Sequence, residues 1–75
     1  MRTLPPSTKN QAFLNAVRLR RREMKLPQKV LAHELSVSTP AYHKIETGKT
    51  ILNFEIFNFL CKRLILNAEK FLLKN

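Results

Sequence analysis

Three residues that interrupt helices, Pro27, Pro40 and the only glycine, Gly48, constrain the fold of this chain most strongly. Proline pushes the residue before it out of helical geometry, yet it fits the first turn of a helix without losing a hydrogen bond. Glycine readily takes the left-handed conformation that ends a helix. The spacing predicts two short helices, over residues 27–35 and 39–46, joined by a tight turn of about three residues.

Apolar residues recur at helical spacing on both sides of this central pair. Phe13, Val17 and Met24 predict a first helix over residues 10–25, preceded by a flexible arm, residues 1–9. A fourth helix, capped by Asn53, is expected to bury an apolar stripe of Phe54, Phe57, Leu60, Cys61 and Leu64. A short fifth helix, capped by Asn67, carries Phe71 and Leu72. We therefore expect an all-α fold, a compact five-helix domain over residues 10–75.

Length and composition exclude several classes of protein. A chain of 75 residues has room for one core and leaves no space for an enzyme cleft, and we find no candidate pair of nucleophile and base. No run of 18 apolar residues could span a membrane, and the N-terminus lacks the pattern of a secretory signal, so we expect a cytoplasmic protein. Cys61 is the only cysteine and is expected in the core. His33 and His43 are too few for a metal site, and no cofactor is expected.

The charge of the chain is strongly positive, with 14 Lys and Arg against 5 Asp and Glu and a formal net charge of +9. Binding to a polyanion is the usual reason for such a surplus, and a solvated basic surface is the alternative. Arg18, Arg20 and Arg22 fit either a solvated face or a contact with DNA beside the main site. We disfavour a membrane-surface helix because the charges do not form one stripe, and RNA because no aromatic is predicted on the basic surface.

The helix over residues 39–46 has an outward face that could read DNA. Tyr42 and Ile45 lie three residues apart and are expected to pack inward. The opposite face then carries the side chains expected to contact bases, namely Thr39, Pro40, His43, Lys44 and Thr47. Hydroxyl, imidazole and ammonium groups can reach base edges, and the Thr methyl or Pro ring can touch a thymine methyl. Two short helices joined by a tight turn have the geometry of a DNA-binding helix-turn-helix.

Residues 26–50, LPQKVLAHELSVSTPAYHKIETGKT, also carry a recognisable pattern. Its elements are Gln28, Leu31-Ala32, Leu35, Val37-Ser38 and, above all, Lys44-Ile45-Glu46 followed by Gly48-Lys49. In these residues the chain resembles the XRE-type helix-turn-helix family of phage repressors and Cro, small bacterial regulators and the antitoxins of toxin–antitoxin operons. The resemblance is strongest over residues 26–50 and extends over residues 13–72.

The resemblance implies roles for further residues. Arg21 is expected to form a partly buried bridge with Glu46 that holds the third helix on the first; in the alternative, Arg21 binds phosphate and Glu46 is a solvated helix end. The residues expected to contact DNA phosphates are Gln28, Lys29, Ser38, Lys49 and Thr50. Gln28 is expected to donate to a phosphate from the start of the second helix, and backbone amides beyond the third helix are expected to bind phosphate oxygens.

Four residues depart from the family pattern. Ser36 occupies a turn position where relatives usually carry a left-handed glycine, at a cost of about 1 kcal/mol for a residue with a β-carbon. Pro27 replaces a Ser or Thr cap, Lys25 replaces a common glycine, and Arg20 stands where an aliphatic residue is usual. None of these departures is expected to remove the fold.

Ile56 and Phe59 lie off the apolar stripe of the fourth helix and are expected to be exposed. Such a pair suggests a partner surface, and a homodimer would read a pseudo-palindrome with half-sites roughly 34 Å apart. We therefore expect a sequence-specific, double-stranded-DNA-binding transcriptional regulator, a repressor that reads the major groove with the third helix. The alternative is an antitoxin-like or other protein-interaction module whose main partner is a protein such as a toxin.

Overall fold

The computed structural model of the protein describes residues 8–72, and these fold entirely into helices and connecting turns. The helices in chain order are α1 (Thr8–Glu23), α2 (Gln28–Glu34), α3 (Thr39–Glu46), α4 (Phe54–Leu64) and α5 (Glu69–Leu72). The all-α prediction is confirmed, since no strand occurs in this part of the chain. The five-helix count is not confirmed, because α5 is a single turn of four residues after four longer helices. Of the predicted arm, residues 1–7 lie outside the described residues, whereas Thr8 and Lys9 belong to α1.

The core is formed by residues of α1, α2, α3 and α4, and α2 packs mainly against α3. Phe13 stands at its centre, with its ring centroid 4.6 Å from that of Phe57 and 5.2 Å from that of Phe71. Cys61 is buried there, as predicted, and burial raises the pKa of its thiol. These two aromatic contacts tie α4 and α5 to one residue of α1, so the short α5 is held by packing.

Local signals in the sequence set the helix boundaries. The Ser38 hydroxyl accepts a hydrogen bond of 3.1 Å from the amide of Ala41, which makes Ser38 the N-cap of α3. Asn53 caps α4 in the same way, through a 2.8 Å bond from the amide of Ile56. Pro27 is the N-cap of α2 and not its first helical residue, because its ψ of 155° is extended. Each boundary lies within two residues of its predicted place.

Among residues 8–72, three that have side chains adopt the left-handed conformation that favours glycine. Ser36 has φ of 60° in the turn between α2 and α3, as its position predicted, and Lys25 has φ of 58° between α1 and α2. Ile65 ends α4 with φ of 57°, which is unusual for a β-branched side chain and was not anticipated. Gly48 follows α3 with φ of 82°. All four lie in turns that link helices, so the strain is confined to the connections.

The buried face of α4 differs from the predicted stripe. Phe57, Leu60, Cys61 and Leu64 are buried, but Phe54 is 64% exposed and reaches the core only by stacking on Phe57. Ile56 and Phe59 were predicted to be exposed, yet both are half-buried against the core. A helix that packs against a globular core buries an arc wider than one narrow stripe, and its first residue lies at the edge of the contact. The expectation that Ile56 and Phe59 form an exposed patch is therefore wrong.

Candidate nucleic-acid interface

The inner and outer sides of α3 differ sharply in burial. Tyr42, Ile45 and Glu46 are buried on the inner side, and Tyr42 and Glu46 are both 0% exposed. The outer side presents the residues expected to contact bases: Thr39, Pro40, His43 and Lys44, all exposed. Packing of the inner side fixes the helix from which these four side chains project. The surface combines one cation, an imidazole, a hydroxyl and an apolar ring, a set that can match the edges of base pairs.

Thr47, the fifth residue expected to contact bases, lies just beyond this surface at the C-cap of α3. It is exposed, and its hydroxyl donates to the backbone oxygen of His43 at 3.0 Å. The hydroxyl hydrogen is therefore engaged within the helix end. The Thr47 methyl group and the lone pairs of its oxygen are the parts that remain for a DNA contact.

Arg21 of α1 and Glu46 of α3 are joined by two hydrogen bonds. Arg21 Nε lies 2.7 Å from Glu46 Oε2, and Arg21 Nη2 lies 3.2 Å from Oε1. The third guanidinium nitrogen, Nη1, donates to the backbone oxygen of Leu26 at 2.9 Å. One arginine thus connects α1 to the end of α3 and to the segment before α2. Such paired geometry is stronger and more directional than a single ionic contact.

Two further donors reach the Glu46 carboxylate. Gln28 Nε2, at the start of α2, lies 3.0 Å from Oε1, and the Tyr42 hydroxyl lies 2.6 Å from Oε2. Burial alone would raise the pKa of Glu46, but the bonds from Arg21, Tyr42 and Gln28 outweigh it and hold the pKa below 4.5. Burial, reinforced by the bond to Glu46, raises the pKa of Tyr42. Glu46 therefore stays ionised at the junction of α1, α2 and α3.

The loop after α3 was expected to offer backbone amides to phosphate, and the structure contradicts this. The amides of Thr47, Gly48, Lys49 and Thr50 all donate to carbonyl oxygens of α3, at 2.9–3.2 Å. These bonds satisfy carbonyls that the end of a helix leaves without partners. Any phosphate contact from this loop therefore has to use the exposed side chains of Lys49 and Thr50.

The other residues expected to contact phosphates differ in how many of their hydrogen-bonding groups are already bonded within the protein. Lys29 is exposed in the first turn of α2. Gln28 is partly buried, with one hydrogen bond committed to Glu46. The Ser38 oxygen accepts the capping bond from Ala41, so its hydroxyl hydrogen remains for a phosphate. Lysine and serine donors at the start of α2 and α3 thus flank the outer surface of α3.

A family model described as helix-turn-helix matches residues 17–71, which is more than half of the chain. The chain belongs to the XRE-type helix-turn-helix family. The family is one of DNA-binding transcriptional regulators. Searches of curated proteins and of solved structures found no match. None of the helices of the described part is both long enough and apolar enough to cross a membrane.

The arginines of α1 in this helix-turn-helix protein serve the fold more than either sequence interpretation allowed. Arg20 Nε donates at 2.9 Å to the backbone oxygen of Leu64, the last residue of α4. Arg18 donates to the backbone oxygen of Glu46 and to the side chain of Asn15. Arg22 is exposed. The sequence marked Arg20 as a departure from the family pattern but did not indicate its partner.

Two interactions of this helix-turn-helix protein were missed at the sequence level. The Tyr42 hydroxyl bond to Glu46 joins residues four apart in α3, a spacing that places both on one face of a helix and could have revealed it. Arg63 Nε of α4 lies 2.7 Å from Glu34 Oε1 of α2, and this bond lowers the pKa of Glu34. The Arg63 pair spans 29 residues, so no local pattern indicated it.

Proposed function

We propose that this protein is a sequence-specific repressor that binds double-stranded DNA and inserts α3 into the major groove. The observation that supports it is the division of α3 into a buried inner side and an exposed outer side of polar character. A helix with its side chains is about 10–12 Å in diameter, so α3 fits a major groove about 12 Å wide. Repression follows if the bound protein occludes a promoter.

In this proposal Lys44 donates to guanine O6 or N7, the commonest specific contact of a lysine in the major groove. His43 and Thr39 reach neighbouring base edges, and Pro40 or the Thr47 methyl contacts a thymine methyl. Lys29, Lys49 and Thr50 bind phosphates through their side chains, with Gln28 and Ser38 as further donors. The phosphate contacts set the register of the protein on the duplex, and the base contacts select the sequence.

We also propose that two copies of the chain bind DNA together, because one short helix contacts too few base pairs to be selective. Two copies related by a two-fold axis would bind half-sites roughly 34 Å apart or a multiple of this distance. Since Ile56 and Phe59 are half-buried, the exposed Ile51 and Phe54 offer the larger apolar area for a contact between copies. Residues 1–7 are proposed as an arm that precedes the domain, since Thr8 and Lys9 already belong to α1.

An antitoxin-like role, in which the main partner is a protein such as a toxin, is the second candidate. Exposed apolar side chains on different elements favour it, among them Leu19 of α1 and Ile65 at the end of α4. A repressor needs no such surface beyond its dimer contact. A repressor binds its DNA site tightly, whereas an antitoxin-like protein binds its protein partner tightly. Binding to a duplex selected from a random pool therefore decides between the two candidates.

The test uses three lysine variants on the selected duplex and on an unrelated one. Lys44→Ala is expected to weaken binding to the selected duplex by about 1–3 kcal/mol and to relax the sequence preference. Lys49→Ala should weaken both duplexes by the same factor, because it removes a phosphate contact. Lys62→Ala, an exposed lysine of α4, is the control and should change neither. Equal effects of Lys44→Ala and Lys49→Ala on both duplexes would contradict the assignment of α3.

A further inference from the structure

Tyr42 places a hydroxyl group in the core, where packing alone does not require one. Its side chain is 0% exposed and is one of the largest in the core. A phenylalanine would fill almost the same volume, and a buried hydroxyl is costly unless it is hydrogen bonded. The Tyr42 hydroxyl has one such partner, Glu46 Oε2, at 2.6 Å. The hydroxyl therefore serves the Glu46 carboxylate and not the filling of the core.

Each oxygen of that carboxylate receives two donors. Oε1 accepts from Arg21 Nη2 and Gln28 Nε2, and Oε2 accepts from Arg21 Nε and the Tyr42 hydroxyl. A carboxylate has about four acceptor positions, so the set is full. The donors come from α1, α2 and α3 itself. Arg21 and Gln28 bind the Glu46 carboxylate from outside α3. The Tyr42 hydroxyl binds the same carboxylate from within α3, one turn nearer to the N-terminus of the helix.

Two attachment points one turn apart restrict how α3 can rotate about its axis. With side chains, a helix has a radius of about 5–6 Å, so a rotation of about 10° shifts an outward atom by about 1 Å. A displacement of that size is enough to spoil a hydrogen bond to a base edge. His43 and Lys44 directly follow Tyr42 in the sequence and project from the opposite side of the helix. Their aim therefore depends on the rotation of α3.

We propose that the Tyr42 hydroxyl is a positioning group for base recognition: it fixes the rotation of α3 through Glu46 and contributes to sequence discrimination, not to general affinity for DNA. The inference rests on the proposed function, in which the outer side of α3 reads bases. Phosphate contacts made by lysines on flexible stems tolerate a small rotation of α3. Base contacts, which need defined distances and angles, do not.

The test is Tyr42→Phe, which removes the hydroxyl and keeps the ring. Affinities for the selected duplex and for an unrelated duplex are compared where circular dichroism shows the variant fully folded. We expect the ratio of the two affinities to fall about tenfold, the value of roughly one base contact, with the affinity for the unrelated duplex unchanged. Residual dipolar couplings of the α3 amides should report a changed orientation of α3 relative to α1.

Asn53→Ala is the matched control, because it removes the cap of α4 at a similar cost in stability and does not touch Glu46. It should leave the affinity ratio unchanged. If Tyr42→Phe is not fully folded, Ile65→Gly is added to relieve the left-handed isoleucine at the end of α4. An unchanged ratio, an equal loss on both duplexes, or a double variant that still does not fold would overturn the inference. A wild-type protein that prefers no duplex would instead refute the proposed function.

Discussion

Glu46 is the one charged residue that is fully buried in the part of the chain that the structure describes. Removing a carboxylate from water costs several kcal/mol, and its bonds to Arg21, Gln28 and Tyr42 offset that cost. Replacing such a cluster by apolar side chains often leaves stability unchanged, so its value lies in the geometry that it fixes. At this residue the fold and the proposed DNA surface meet, because Glu46 ends the helix that carries His43 and Lys44.

Glu46→Gln tests this residue through the pH dependence of stability. The folded pKa of Glu46 is lowered, so its contribution is present above about pH 4.5 and is lost as the pH falls through the folded pKa. The variant should lose about 3 kcal/mol in the free energy of unfolding at pH 7, because Arg21 keeps its charge without a buried partner. The difference from wild type should shrink as the pH falls below the ordinary glutamate pKa, because the unfolded chain takes up its proton before folded Glu46 does.

Urea titrations at several pH values measure this difference, and Glu34→Gln is the control. Glu34 pairs with Arg63 at the surface, where solvent screens the interaction, so its removal should cost far less at every pH. A Glu46→Gln variant whose deficit does not change with pH would show that folding does not lower the pKa of Glu46.

At the scale of the helices, the C-terminus of α4 is the most strained connection. Ile65 holds φ of 57° and ψ of 53° and is 70% exposed, so the left-handed backbone has little compensation from packing. A side chain with a β-carbon raises the energy of this conformation by roughly 1–2 kcal/mol. Arg20 of α1 donates to the neighbouring carbonyl of Leu64 and secures the same helix end.

Ile65→Gly should therefore stabilise the protein by about 1 kcal/mol, since glycine adopts a positive φ without that penalty. Ile51→Gly is the matched control: Ile51 is 88% exposed and is not among the described residues with a positive φ. Glycine at position 51 should slightly destabilise the fold, because it only adds freedom to the unfolded chain. Thermal unfolding of both variants measures the difference. Equal shifts of the two midpoints would mean that the strain at position 65 is not released.

The boundaries of the helices were predictable because their signals are local. Ser38 and Pro40 lie at the start of α3, Gly48 follows its end, and Asn53 caps α4. Each of these residues lies within a few positions of the helix boundary that it determines. The burial of Phe54 and Ile56 was not predictable in this way. Which side of α4 faces the core depends on how α1 crosses it, and that geometry joins residues more than forty positions apart, as the 44-residue span of the Arg20 bond to Leu64 illustrates.

The outer face of α3 was predictable from sequence because one helix with a clear apolar side defines its own polar side. The acceptors of the Arg18 and Arg20 guanidinium groups were not, since a charged side chain carries no signal of the backbone oxygen that it will reach. The use of the amides after α3 also depends on the conformation of the loop, which the sequence GKTIL leaves open. Sequence patterns thus indicated where the candidate site lies. The packing of the fold determines which of its polar groups are already hydrogen bonded within the protein.

At the scale of the whole molecule, the net charge of +9 predicts how DNA binding responds to salt. Each phosphate contact releases counterions, so the logarithm of the binding constant should fall by about 0.9 for each contact per tenfold rise in salt. Lys49→Ala should reduce this slope by about 0.9, and Lys62→Ala should leave it unchanged. Fluorescence anisotropy over a range of salt concentrations measures the slope. Binding that does not respond to salt would contradict a role for the lysines at the backbone of DNA.

The loop after α3 has a thermodynamic consequence for the complete molecule. Its four successive amides, from Thr47 to Thr50, are already bonded to α3 before any nucleic acid arrives. In the proposed complex, little backbone entropy has to be given up when the Lys49 and Thr50 side chains contact a phosphate, whereas a disordered loop would lose roughly 1–2 kcal/mol for each residue ordered. On this proposal the backbone at this end of α3 has the same conformation before and after binding, so the protein docks onto DNA nearly as a rigid body.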